Sequence, residues 1–358
     1  MFSNFQVSKK IFVNSIVVFI ATSMLVSCKP KKLDINEQYK DIPVIYCLLN
    51  AAADTQFIKI NKVFLGDGNA YDYAQEPDSI NYNPADLIVT LEEFKLNLSN
   101  TTYDSKSKII LKHLVKSVQN DNGVFTKKNN ILWYTDTKIN SDYAKYKLTI
   151  QNIKTGKNDV WAETKIVQSG KDEAGKDLFK IALSGVSGNS MIFYDTDAKR
   201  KTVTVRFLAG NDANGYSMTM RINYIEYPEN SIKDSVQKSI DYDFEYLKSD
   251  QKDIFFRIDG GKLLSFLRGK ESTDFAENLN RKLRTAYFTL YAASPIFTQY
   301  SEVNAPRAGY LLDKPIYTNI NNGYGLFASR FSAKSGTYKF DVSTLKVLRD
   351  SVKANIVP

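Results

Sequence analysis

The chain of 358 residues is 43% hydrophobic, with 22 Tyr and 21 Phe, and its 48 Lys and Arg exceed its 39 Asp and Glu for a net charge of +9. This composition excludes disorder for the bulk of the chain, and its aromatic weight favours sheet over helix. The lysines are scattered between apolar residues and turns rather than clustered, the pattern of a solvated face, which argues against a nucleic-acid partner.

The chain opens with Lys9 and Lys10 and no acid, then an apolar run from Ile11 to Val26 that ends in Leu25-Val26-Ser27-Cys28. A basic start, an apolar stretch and small residues before a cut are the grammar of an export signal. An aliphatic residue three back, a small residue one back and a thiol at the first mature position specify the lipoprotein version. The run of about 16 residues falls short of the roughly 20 that cross a bilayer core. Residues 1–27 are therefore expected to be a lipoprotein signal peptide, with Cys28 carrying the acyl chains that hold the protein to a membrane. Residues 28–40 follow as a polar tether. Its Lys29-Pro30-Lys31-Lys32 start is basic, which favours the periplasmic face of the outer membrane over the cell surface.

From Ile42 the pattern turns to strands. An apolar run reaches Leu49, and Ile58 to Phe64 alternates as its hairpin partner. Cys47 lies in the first run with no cysteine left to pair with, and reads as a small core hydrophobe. Residues 66–84 are rich in Gly, Asn, Asp and Pro, long for a connection, and are expected to be a binding loop or a mobile one. Leu87, Val89 and Leu91 share a strand face, as do Tyr146, Leu148 and Ile150. A turn at Thr155-Gly156 then returns the chain through 160–167. These elements predict an immunoglobulin-like β-sandwich over 41–170, bounded by the polar run Lys171–Lys176.

A second β-rich domain is expected over 171–358. Val203, Val205 and Phe207 alternate, as do Met218, Met220, Ile222 and Tyr224, the two runs joined by the loop 210–215. Ile254, Phe256 and Ile258 form a strand ended by Gly260-Gly261, and Tyr338, Phe340 and Val342 a late one. Short helices are predicted after Asp274, with Glu277 three positions on, and after Ser294-Pro295. The expected fold is mainly β: two β-sandwich-like, immunoglobulin-like domains, with short helical insertions in the second.

Residues able to carry chemistry are few. His113 is the only histidine. It sits on a strand without a nucleophile motif, and a single histidine cannot build a histidine-based zinc site. Glu92-Glu93, Asp195 with Asp197, and Asp241, Asp243 and Glu245 are the acid pairs a glycosidase would need, and read first as solvated turn acids. Gly66-Asp67-Gly68-Asn69 lacks the oxygen spacing of a calcium loop. Trp133-Tyr134, Trp161, Tyr71 and Tyr73 are candidates to grip sugars or peptides, or core residues. Asp78-Ser79-Ile80, Asp234-Ser235-Val236 and Asp350-Ser351-Val352 resemble O-glycosylation acceptors of Bacteroidota. No pattern calls for a cofactor.

Tyr146-Lys147-Leu148-Thr149-Ile150, Gly156-Lys157 and Ala162-Glu163-Thr164-Lys165-Ile166 follow a Tyr-x-Leu-x-Ile, Gly-Lys, Ala-x-Thr-x-Ile order. Asn319-Ile320 and Gly323-Tyr324-Gly325-Leu326-Phe327 make an Asn-Ile, Gly-x-Gly-x-Phe close. Together these resemble a family of Bacteroidota lipoproteins, the domain of unknown function numbered 4249, over nearly the whole chain after the tether. Tyr324 departs from the usual aliphatic residue and Leu326 from a small one. The resemblance implies the company of SusC-like TonB-dependent receptors and an accessory or binding role without a reaction. The closing motif also has a reading of its own: Asn322-Gly323 suits a tight turn, Gly325 permits close backbone approach, and Phe327 plugs a core.

The sequence thus leads to a non-enzymatic outer-membrane lipoprotein that partners a TonB-dependent transporter or its cargo. Two alternatives stand beside it. One is an envelope structural or adhesion lipoprotein using the 66–84 loop. The other is a carboxylate-dependent hydrolase of glycans using Asp195 and Asp197.

Overall fold

The computed structural model describes residues 42–357 except 65–68, 100, 117–124, 127, 157–158, 230, 276–278, 306–315 and 353–354. The expected signal peptide, Cys28 and the tether lie outside the described residues, as do Gly66, Asp67 and Gly68.

Alternating apolar residues between turn formers set the strands. The first half holds β1 (Pro43–Asn50), β2 (Gln56–Lys62), β3 (Leu87–Asn97), β4 (Thr102–Ile110), β5 (Lys112–Val115), β6 (Ile131–Thr135), β7 (Ala144–Asn152) and β8 (Val160–Lys165). The second half begins with the short β9 (Ala182–Ser184), β10 (Val186–Ser187) and β11 (Ser190–Met191). It continues with β12 (Thr202–Leu208), β13 (Gly215–Tyr227), β14 (Val236–Asp243), β15 (Leu247–Lys248) and β16 (Asp253–Asp259). The chain ends in β17 (Asn280–Ala293), β18 (Tyr324–Lys334), β19 (Lys339–Phe340) and β20 (Ile356–Val357). The fold is mainly β and sandwich-like, as expected.

One long sheet runs in the order β14-β13-β17-β18-β1-β2-β6-β5 and is the shared face of two sandwiches. The sheet β4-β3-β7-β8 lies over one end. Its Leu87, Val89, Leu91, Tyr146 and Leu148 pack with Ile45, Cys47, Leu49, Ile58 and Ile60 of the long sheet. Over the other end lies β16-β12-β9, where Val203, Val205, Phe207 and Phe256 meet Met218, Met220, Phe288 and Leu290. The two cores divide along the chain between Ile166 and Val167, a few residues before the polar run at 171–176. Ile320 and Phe327 cross back into the first.

β18 joins the two. Its first part pairs parallel with β1 from Val44↔Tyr324 to Asn50↔Arg330, and its last part pairs antiparallel with β17 from Ala293↔Arg330 to Thr289↔Lys334. The Gly-x-Gly-x-Phe segment makes this possible. Asn322 takes φ +59°, and Gly325 takes φ +113° opposite Ile45. A Cβ at 325 would lie 1.9 Å from the Ile45 carbonyl oxygen, so only glycine fits. Two residues on, Phe327 is fully buried in the first core. The Asn319 side chain holds the same residue by its backbone, donating to the Phe327 carbonyl at 2.7 Å and accepting from its N–H at 2.9 Å. Ser329, also fully buried, donates to the Lys165 carbonyl at 2.7 Å and accepts from Val167 N–H at 3.2 Å, tying β18 to the crossing between sandwiches.

Several local expectations change. Residues 66–84 are not all loop: α1 (Ala70–Gln75) starts on Asn69, whose Oδ1 accepts from Tyr71 N–H, and α2 (Pro77–Ile80) starts on a proline. The runs on either side of 210–215 do not pair; β12 and β13 lie in opposite sheets, so this loop crosses the sandwich. Gly260-Gly261 begins α3 (Gly260–Gly269) rather than merely ending a strand, because Asp259 Oδ1 accepts from Lys262 N–H. Residues 271–275 are turn, and the rest of the helix predicted after Asp274 falls on 276–278, outside the described residues. The Ser294-Pro295 start does open α4 (Pro295–Asn304), but the Ser294 hydroxyl accepts from Ser329 N–H instead of capping. The late strand expected through Tyr338, Phe340 and Val342 is only β19, because Asp341 accepts from Ser343 N–H and Val342 opens the last helix, α5 (Val342–Ser351).

In the second sandwich the buried Arg281 donates from Nε to Glu226 at 2.6 Å, and Lys238 approaches the other carboxylate oxygen at 2.5 Å. Glu226→Ala is expected to cost roughly 3–5 kcal/mol by leaving Arg281 buried without its anion. Gly325→Ala is expected to cost more than the ~1–3 kcal/mol of backbone strain alone, because the β1–β18 pair must also separate. Urea unfolding of each variant measures both, and an unchanged midpoint in either would overturn the corresponding role.

Candidate functional site

Period-two alternation puts Val44 and Tyr46 of β1, Lys59 and Asn61 of β2, and Leu132 of β6 on the face of the long sheet turned away from the core. The register sets Tyr46 beside Lys59, Val44 beside Asn61, and Lys59 beside Leu132. The segment carrying α1 and α2 folds over this face and bonds to it through an Asn61↔Asn81 bridge. Between them lies a cleft of 720 Å³, within the ~300–1,000 Å³ of small-molecule sites. Its walls are largely apolar, with Val44, Tyr46, Phe64, Ile80, Phe125 and Leu132 among them.

The floor is polar and closed upon itself. Lys59 Nζ donates to Asn130 Oδ1 at 2.7 Å, to the Ile131 carbonyl at 3.1 Å and to Asn81 Oδ1 at 3.2 Å, which uses all three of its hydrogens. Asn81 Oδ1 also accepts from Asn61 at 3.2 Å, while its amide nitrogen donates to the carbonyls of Pro77 and Asn129. Asn61 spends its second hydrogen on the Ile80 carbonyl at 2.8 Å. Every partner of Lys59 is a neutral oxygen, and no acid is among the described residues lining the cleft. Burial lowers the Lys59 pKa to about 8. At neutral pH the floor therefore holds a positive charge with no counter-ion among the described residues. At the rim Tyr46 stands edge-on to Tyr300 at 6.5 Å, and Tyr300 to Tyr317 at 6.3 Å.

The residues singled out in the sequence lie elsewhere and do not converge. His113 is exposed on β5, its ring 5.4 Å from that of the buried Trp133. Asp195 and Asp197 are in a turn rather than on a strand. Asp195 accepts from the N–H of Asp197 and Lys199 and pairs with Lys201 at 3.0 Å. Lys201 and then Lys199 hold its carboxyl below the usual range, opposite to what a general acid needs. Glu92 and Glu93 accept from Ser105 and Ser107, Asp241 forms a two-point pair with Arg221, Asp243 accepts from Thr219, and Glu245 is exposed. Trp161 is 37% exposed with Lys147 over its ring, Tyr71 is exposed on α1, and Tyr73 stacks on Phe64 beside the cleft. Of the three Asp-Ser tripeptides, Ser79 lies in α2, Ser235 follows a short 3-10 turn, and Ser351 ends α5. Among the described residues no group of acids, histidines or cysteines is placed to hold a metal. Cys47 is buried, and burial pushes its thiol pKa up.

No known family model matches the chain, and no curated protein does. Among solved structures, the chain is similar to the C-terminal globular domain of an oligosaccharyltransferase from Pyrococcus abyssi at 10% identity and a TM-score of 0.15. That likeness covers 86% of this chain and 52% of that one, so the chain spans about half its length. At this level it carries no argument.

The Lys59 geometry has a measurable signature. The unfolded chain keeps this proton to about 10.5 and the folded chain only to about 8, so this group adds stability as pH rises through that window. In NMR spectra of isotope-labelled lysine side chains, one signal is expected to titrate near pH 8 and to be the one missing from Lys59→Gln. Loss of any signal titrating there only in some other lysine variant would overturn the assignment.

Proposed function

We propose that the protein is a non-enzymatic outer-membrane lipoprotein, held at the periplasmic face by lipid on Cys28, that binds a ligand in the β1–β2–β6 cleft as the accessory of a TonB-dependent transporter. The observation that carries this reading is the cleft's place on β1, the strand that follows the tether directly. From Cys28 to Ile42 an extended chain spans at most about 50 Å, so an anchored protein keeps its cleft within that distance of the bilayer. A ligand site near a membrane suits the capture or delivery of cargo for an envelope transporter.

Two further points support binding over catalysis. The candidate pair acids other than Glu245 are engaged by lysine, arginine, serine, threonine or backbone partners, and the cleft itself is lined by no described acid. The company of a TonB-dependent receptor rests on the sequence resemblance. Attachment by lipid rests on the Leu25-Val26-Ser27-Cys28 pattern of the sequence; no helix among the described residues is long and apolar enough to cross a membrane.

Mass spectrometry of the native protein is expected to find an acylated Cys28 as its first residue, and cross-linked detergent extracts are expected to return a TonB-dependent receptor. A retained Met1 or an unmodified thiol would overturn the anchor, and extracts without such a receptor would overturn the accessory role.

A further inference from the structure

We propose that the cleft takes a single-chain amphiphile with a carboxylate head, of the fatty-acid type, its chain along Val44, Tyr46, Phe64, Ile80 and Leu132 and its head toward Lys59. This rests on the cleft being a binding site and names what it binds.

The closed floor decides between ligand classes. A sugar is recognised by many open donors and acceptors along its length, yet the walls are largely apolar, and Lys59 and Asn81 already hold neutral partners that a hydroxyl would not outcompete. A peptide laid in the cleft would bring backbone N–H and C=O groups that need partners. β1, β2 and β6 are interior strands of the long sheet, paired on both sides, and offer no free edge to satisfy them. An alkyl chain asks for nothing but apolar wall, which the cleft supplies.

The charge decides the head group. Lys59 is cationic at neutral pH, half-buried, and surrounded by amide and carbonyl oxygens only. A carboxylate is a stronger acceptor for an ammonium than an amide is, so it can take the place of Asn130 Oδ1 while compensating the charge. A neutral alcohol gains no such compensation, and a cationic head is repelled. The other described titratable groups lining the cleft are Tyr46 and Lys62, and neither is a carboxylate.

The test uses the full-length protein in a nanodisc of zwitterionic lipid, with the empty nanodisc as reference. The probe is carboxyl-labelled palmitate, compared by competition with hexadecanol and with an apolar peptide bearing a free C-terminus. Expected are a protein-dependent carboxylate NMR signal and a preference for palmitate over hexadecanol of at least roughly 10-fold. Lys59→Gln, which keeps hydrogen-bond donors but removes the charge, is expected to erase that preference, bringing the palmitate and hexadecanol affinities together. Val44→Trp, filling the cleft from an outward strand position, is expected to weaken both ligands. The proposal is overturned by the absence of a protein-dependent palmitate signal, by equal affinities for palmitate and hexadecanol in the unaltered protein, or by tighter binding of the peptide. Receptor recovery from cells plays no part in this readout, so accessory role and ligand class can fail separately.

Discussion

One strand belongs to two sandwiches, and the architecture depends on it. β18 lends its first residues to β1 and its last to β17, with Arg330 facing a partner on each side. Parallel pairing is slightly weaker per residue than antiparallel pairing, so it persists where side chains enforce it. Here Gly325 allows the contact and Phe327 locks it, since a slip of one residue would turn Phe327 out of the first core and every neighbour with it. Asn319 and Ser329 satisfy backbone groups at the same junction, where an unpaired amide in the interior would be costly. The long sheet is continuous because this short stretch admits no alternative register.

Much of the fold was legible because strands announce themselves by period. β1 with β2, and β7 with β8, were readable as hairpins from alternation and turn residues alone. The closing motif was readable in physical terms too, since a second glycine two residues after a tight Asn-Gly turn has few uses other than close backbone approach. What was not legible depended on which sheet a strand joins. The runs flanking 210–215 carry the same alternation whether they pair or face each other across a core. The start of α3 was hidden because two glycines after a strand look like an ending, while the Asp259 cap is a single side-chain contact. The site was hidden for a related reason. Lys59 between Ile58 and Ile60 has the pattern of a solvated strand lysine, and nothing local reveals that Asn81 and Asn130 will fold over it.

The cleft also shows how a sheet protein can keep polar residues on a covered face. On the floor the amide hydrogens of Asn61 and Asn81 are all engaged, so neither presents an orphaned donor for a ligand to meet. Most of the cost of covering falls on one ammonium, whose lowered proton affinity records it. Apolar walls and an uncompensated charge are then left as the features by which a molecule in the cleft can be distinguished.

The placement of β18 sets a timetable for the nascent polypeptide. Val44 must wait for Tyr324, an interval set by how fast the chain emerges, whether from a ribosome or across a membrane. Throughout it one flank of β1 stands open, a template for any extended segment that meets it. A fragment ending anywhere before residue 324 never closes that flank, however complete its other strands. Closure of the long sheet therefore depends on the arrival of the residues from 324 on, and shielding the opening strand until then guards a flank that no hairpin covers.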